Sequence, residues 1–135
     1  MVNLANEKET VIFGNDSIVV QKFIAGIKGG RALDTTGYTE DVILAGHVII
    51  TDGSGTYKPM PLKADSAHEG KMIYADLPAS HAYAGILVSS IKTSQPAGSI
   101  MTYGQVNEVA LPYEVPAAFK TACPHIEFIK DEESK

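Results

Sequence analysis

The sequence predicts a mainly β domain of α+β class, with one or two short helices. Three observations predict it. Short runs rich in Val, Ile and Tyr recur along the chain between Gly, Pro, Asn and Asp turn signals. The best helical stretch, residues 116–123, comes late. Strands do not alternate with long helices, which excludes a doubly wound parallel sheet. At 135 residues the chain has room for one sizeable core, and no repeat of solenoid period is visible. The organisation expected is an arm over residues 1–13, a single β-rich body over 14–129 and a charged tail over 130–135.

The arm is polar at its tip, with Asn3, Asn6, Glu7, Lys8 and Glu9, and turns β-prone at Val11-Ile12-Phe13. It is expected to move freely when unbound. Gly14-Asn15-Asp16 forms a turn. Residues 17–27 carry Ile18, Val19, Val20, Phe23, Ile24 and Ile27; helix and strand both fit, and the β-branched content favours strand. Lys28-Gly29-Gly30-Arg31 opens a glycine-punctuated loop. Residues 42–51 form a strand with a bulge or bend at Ala45-Gly46. Asp52-Gly53-Ser54-Gly55 is a hairpin signal. The return strand, residues 56–62, carries Pro59 and Pro61, which cannot donate ladder hydrogen bonds and so belong at a sheet edge.

Residues 63–80 are polar and mixed, with a short apolar piece at Met72-Ile73-Tyr74. Residues 83–91 read as strand, and Ser94 to Gly98 as turn. Residues 99–111 alternate, yet neither face is purely apolar, a pattern common where a strand meets a partner subunit. Pro116 suits a first helical position, and Pro124 ends that helix. Ile126-Glu127-Phe128-Ile129 closes the fold as a strand.

Charge and composition restrict function. The net charge of −5 argues against a phosphate-gripping nucleic-acid binder. No run approaches the ~18 apolar residues of a membrane span. The first ten residues lack the basic and apolar regions of a secretory leader, so synthesis in a reducing cytoplasm is expected. One cysteine, Cys123, excludes an internal disulfide and a multi-cysteine zinc site.

Candidate chemistry is sparse. The Lys28–Arg31 loop has glycines beside cations, but no Gly-Lys-Ser/Thr ending and no strong helix follows, so a basic turn is the better reading than a phosphate cradle. His47, His68, His81 and His125 lack helical metal spacing, and His47 sits inside an apolar strand. Cys123 and His125 straddle Pro124, which turns their side chains apart, so a small buried hydrophobe fits Cys123 better than a nucleophile. Glu40-Asp41 are adjacent, and adjacent strand residues face opposite ways. No acid/base pair assembles. No catalytic residue, cofactor or metal ligand is expected.

The second half has a specific look. Ala84-Gly85-Ile86-Leu87-Val88, the turn Gln95-Pro96-Ala97-Gly98, and the Gly-x-Val-Asn-x-x-x-Leu pattern at Gly104, Val106, Asn107 and Leu111 resemble tailed-phage head decoration proteins of the lambda type. Pro116 to Cys123, followed by Ile126-Glu127-Phe128, resembles that family's late helix and closing strand. Ala45-Gly46-His47-Val48-Ile49 with Tyr57-Lys58-Pro59 resembles its upstream hairpin. The likeness spans residues 42–129. Gly29-Gly30-Arg31-Ala32-Leu33-Asp34 and residues 63–80 look closer to capsid auxiliary or head-fibre proteins of other phages.

The resemblance implies a small β-barrel-like, or β-tulip, domain that forms a homotrimer on the outside of the expanded head. It implies the major capsid protein as partner, bound by an arm that adds a strand to a capsid sheet. Val2, Leu4, Val11, Ile12 and Phe13 are the arm residues expected to carry that contact. The expected location is the outer capsid surface of the virion, after synthesis in the bacterial host cytoplasm, with no nucleic-acid or membrane partner. Two other readings stand beside it. A head-fibre module could bind a host surface glycan, using the 63–80 region with Tyr74 and Tyr83 nearby. A small enzyme could build a site between subunits from its dispersed His and Asp residues.

Overall fold

A computed structural model describes residues 19–27 and 31–130. The described chain opens with β1 (Val20–Gly26), β2 (Arg31–Ala32), β3 (Val42–Ile43) and β4 (Val48–Thr51). The middle holds β5 (Tyr57–Pro59), β6 (Leu62–Ala64), β7 (Met72–Tyr74) and β8 (Ala82–Leu87). Then come β9 (Ile91–Lys92), β10 (Ala97–Gly98), β11 (Ile100–Asn107), a 3-10 turn (Glu108–Ala110), α1 (Ala117–Ala122) and β12 (Ile126–Ile129). The protein is mainly β, with one helix and that lone 3-10 turn among the described residues.

The main sheet runs β1-β11-β8-β4-β5, with β12 alongside β11. Strand β11 holds it together. One edge of β11 pairs with β1 from Val20↔Val106 to Gly26↔Met101. Its other edge is shared: Ile100 and Met101 pair with Leu87 and Ile86 of β8, while Gly104 to Asn107 pair in parallel with β12. Its two edges therefore serve three strands of its own chain. Three two-stranded ribbons, β2–β10, β3–β9 and β6–β7, flank the sheet.

The sheet is not closed into a barrel, which corrects the barrel-like expectation. Closure would require the end strands β1 and β5 to pair. Strand β5 carries Pro59, which has no N–H to offer. Beyond it lies a single parallel bridge, Leu33↔Tyr57, with the Asp34 N–H donating to the Tyr57 carbonyl at 2.8 Å. Strand β1 is interrupted by three register shifts, and bulges of this kind twist an edge away from further pairing.

The run Val48-Ile49-Ile50 is continuously apolar because its strand is covered on both faces. Val48 and Ile50 join Met60, Tyr74, Ile86, Met101, Val106, Phe119 and Ile126 in one cluster. Ile49 joins Leu33, Ile43, Leu87 and Ile100 in another. Helix α1 seals the first face with Phe119, whose ring meets Tyr83 at 5.4 Å and Phe128 at 6.1 Å. Pro116 stands at the N-cap, one place before the expected first helical position. Its carbonyl accepts from the N–H of Phe119 at 3.0 Å.

The expected break at Ala45-Gly46 separates β3 from β4. Gly46 has φ +92°, and a Cβ there would lie 2.8 Å from Leu111 Cδ2 and 3.0 Å from Val19 Cγ1. The turn at residues 52–56 joins β4 to β5 as a hairpin, and Asp52 Oδ1 accepts the Ser54 N–H at 2.9 Å to shape it. Residues 63–80 are more ordered than their composition implies. Leu62 and Tyr74 hold a β6–β7 ribbon against the core, and Asp65 Oδ1 accepts the Ala67 N–H at its tip.

Candidate functional site

The surface feature that stands out is β1. Gln21 through Ala25 are all exposed. Phe23 is 51% exposed and Ile24 47%. Two residues of β1 have no opposite number in β11. Gln21 lies between the Val20↔Val106 and Lys22↔Gln105 pairs, and Ile24 between Phe23↔Gly104 and Ala25↔Tyr103. Each is the extra residue of a bulge. The shift at Ile24 leaves one apolar side chain at solvent, on a strand whose backbone is no longer a regular template for strand addition.

The strand is anchored by a close approach. A Cβ at Gly104 would lie 2.3 Å from the Lys22 carbonyl oxygen, so only glycine lets β1 run this near to β11. Beside Ala25, Tyr103 is 47% exposed and stacks on His125 with ring centroids 5.2 Å apart and planes at 28°. Phe23, Ile24 and Tyr103 are thus large apolar groups displayed on paired strands. Exposed large apolar side chains on neighbouring strands mark a protein-contact surface more often than a ligand pocket.

Two concavities lie elsewhere. The smaller, about 100 Å³, is lined by Asp34, Tyr38, Lys58 and neighbours; it is below the ~300 Å³ of typical small-molecule sites. The larger, about 340 Å³, lies along the 3-10 turn and the segment after it, with Leu111, Pro112, Tyr113, Glu114, Val115 and Lys130 among its walls.

Several residues weighed for chemistry make structural contacts. His47 is fully buried. Its Nε2 donates to the Met60 carbonyl at 2.8 Å, and Tyr38, Tyr74 and Tyr113 meet its ring edge-on at 5.2–5.6 Å. Burial holds it neutral, with a pKa lowered to about 4. The same burial raises the Tyr38 and Tyr74 hydroxyls above their usual range. Cys123 is half-buried, and burial pushes its thiol up, away from the reactive thiolate; His125 is occupied with Tyr103.

Asp34, Asp52 and Asp65 each close a turn by accepting the N–H two residues on, and hydrogen bonds to Thr36, Ser54 and Ala67 respectively lower their carboxyl pKa values. Glu40 and Asp41 precede β3 rather than lying within a strand. Glu108 pairs with Lys120 at 2.7 Å. Among the described residues no three of His, Cys, Asp and Glu gather as a metal site would need.

Of the residues singled out for a glycan, Tyr74 is buried and accepts the Val48 N–H at 2.9 Å, and Tyr83 packs on Phe119. The arm residues Val2, Leu4, Val11, Ile12 and Phe13 lie outside the described residues, as do Lys28, Gly29 and Gly30. Sequence reasoning did not single out Phe23, Ile24 and Tyr103 as a surface. The available signal was an adjacent apolar pair, Phe23-Ile24, between Gln21-Lys22 and Ala25-Gly26, which fits neither alternation nor a helical stripe.

The motif residues behind the family resemblance are framework. Val106 is core. Asn107 is buried, and its Oδ1 accepts the Val109 N–H at 3.3 Å to start the 3-10 turn. Compared with protein-family models, curated proteins and solved structures, the chain matches none.

Proposed function

We propose that this chain is a structural, non-catalytic subunit of a tailed-phage head. It decorates and stabilises the outside of the expanded capsid as a homotrimer, and its arm, residues 1–13, adds a strand to the major capsid protein. It is made in the bacterial host cytoplasm and ends on the outer surface of the virion. The observation that carries the reading is the apolar, doubly bulged strand β1. Phe23, Ile24 and the neighbouring Tyr103 suit burial against other copies of the chain, while the motif set from Gly85 to Phe128 supplies the resemblance. Three arms per trimer would let individually weak strand additions sum to firm attachment. A net charge of −5 suits a particle exterior that must not adhere to nucleic acid.

The test is co-sedimentation with expanded and unexpanded heads, beside a chain lacking residues 1–13. Saturable binding to expanded heads, lost with the arm, is the expected result. Binding that survives the truncation overturns strand addition by the arm, and binding to neither shell overturns the capsid reading.

A further inference from the structure

The two ring nitrogens of His47 are in different situations. Nε2 must donate, because its partner at 2.8 Å is the Met60 carbonyl oxygen. A neutral imidazole carries a single N–H, so Nδ1 presents a lone pair. That nitrogen is fully buried, and no described group donates to it. A second polar atom in the same state lies on a neighbouring ring. Tyr38 Oη is shut off from solvent and meets no partner among the described residues. The two rings stand edge to face with centroids 5.6 Å apart. They belong to different segments: Tyr38 lies in the 33–41 loop before β3, and His47 directly precedes β4. Buried lone pairs and hydroxyls in folded proteins are almost always satisfied, by protein groups or by ordered water.

We infer that one buried water molecule bridges Tyr38 Oη and His47 Nδ1. It donates to the Nδ1 lone pair and accepts the Tyr38 phenol proton, so both atoms are met at once. The chemistry of the pair selects water over an ion. An unprotonated Nδ1 offers nothing to an anion, and among the described residues no three of His, Cys, Asp and Glu gather to hold a cation. The enclosure excludes anything larger, since the Tyr38, Tyr74 and Tyr113 rings close on the imidazole at 5.2–5.6 Å. A buried water commonly makes about three hydrogen bonds, and Tyr74 is placed to supply the third. Its Oη accepts the Val48 N–H at 2.9 Å, on the peptide that joins Val48 to His47. A hydroxyl that accepts there still has a proton to donate. The Tyr38 ring also lines the small concavity beside Asp34 and Lys58, which gives water a short route in. The bridge stitches the 33–41 loop to the start of β4. The inference goes beyond the capsid reading and does not rest on it.

The test is a crystal structure of the full chain at a resolution that shows ordered water, together with the nitrogen-15 resonances of His47 in solution. A Tyr38→Phe chain stands beside both. Expected is one ordered water within hydrogen-bond distance of Tyr38 Oη and His47 Nδ1. A direct Tyr38–His47 hydrogen bond, or no density between the two atoms, overturns the inference. In solution the proton should sit on Nε2, and Nδ1 should show the shift of a nitrogen that accepts a hydrogen bond. A proton on Nδ1 overturns it. Tyr38→Phe keeps the ring and removes only the hydroxyl. The Nδ1 resonance should then move and the water should lose occupancy, while the bond from Nε2 to Met60 persists. A water held at full occupancy, with Nδ1 unmoved, overturns Tyr38 as its partner. The wild-type structure and tautomer decide the question even where the variant fails to fold.

Discussion

His47 donates from Nε2 to the carbonyl oxygen of Met60 at 2.8 Å, and that bond ties the start of β4 to the residue that follows β5. The surroundings are the Tyr38, Tyr74 and Tyr113 rings, which stay uncharged below neutral pH. The folded state holds the imidazole at a pKa of about 4, whereas an unfolded chain protonates near 6.5. The unfolded chain therefore binds the proton first. Stability from the neutral ring is full above pH ~6.5 and falls as pH drops from there towards 4, by about 3 kcal/mol in all. Urea unfolding at pH 7.5, 6, 5 and 4 checks this, and a His47→Gln chain should lose most of the slope within that window. The Asp34, Asp52 and Asp65 carboxyls, with folded pKa values lowered from 3.8, add acid sensitivity below it.

Gly104→Ala forces a methyl into the space taken by the Lys22 carbonyl oxygen, 2.3 Å away. Backbone cannot give as a side chain can, so β1 must part from β11. A loss of about 2 kcal/mol is expected, with faster amide exchange in residues 20–26, read by hydrogen exchange and denaturant melts.

Phe23→Ser with Ile24→Ser removes the apolar side chains of β1 while leaving its pairing with β11. Both positions are exposed, so the melting of the body should shift by less than about 0.5 kcal/mol. Self-association, measured by sedimentation velocity across a concentration series, should weaken at least tenfold. Unchanged association would remove β1 as the contact between copies.

Cys123 should alkylate several-fold more slowly with iodoacetamide than a free thiol at pH 8, because burial raises its pKa. Denaturant should restore the ordinary rate. Cys123→Ser should fold with a loss near 1 kcal/mol.

Phe119→Ala empties the centre of the α1 contact, where the ring is fully buried between Tyr83 and Phe128. A loss of about 3–5 kcal/mol is expected, checked by thermal melts.

Much of the fold was legible where the cause is local. The break of residues 42–51 was marked by Gly46 inside an apolar run. The edge position of β5 was marked by Pro59. The closing helix was bounded by Pro116 and Pro124. What stayed hidden is non-local. Nothing near Gly104 announces that its strand borders β1, β8 and β12, and a parallel partner such as Ile126–Ile129 leaves no turn signature. The β2–β10 and β3–β9 ribbons are two residues long, too short for any period to register. Exposure of Phe23 and Ile24 depends on bulges, which are set by the mismatch between β1 and β11 and not by either strand alone. The candidate surface was therefore the least readable part of the chain, although the mainly β class was plain.

The parallel seat of β12 against β11 bears on when this protein can fold during its synthesis. Residues 126–129 leave the ribosome after every other described strand, yet they flank the strand at the heart of the sheet. The β4–β5 hairpin and the β4–β8 pairing can form on the growing chain, but along Gly104–Asn107 strand β11 has β1 on one edge and an open second edge, and Phe119 lacks Phe128, until Ile126–Ile129 has been made. A nascent chain thus carries an open edge and bare aromatic surface until then, the condition in which chains aggregate or recruit chaperones. Termination before Ile126 should yield inclusion bodies instead of a shorter soluble domain, which makes β12 the quality checkpoint for this fold.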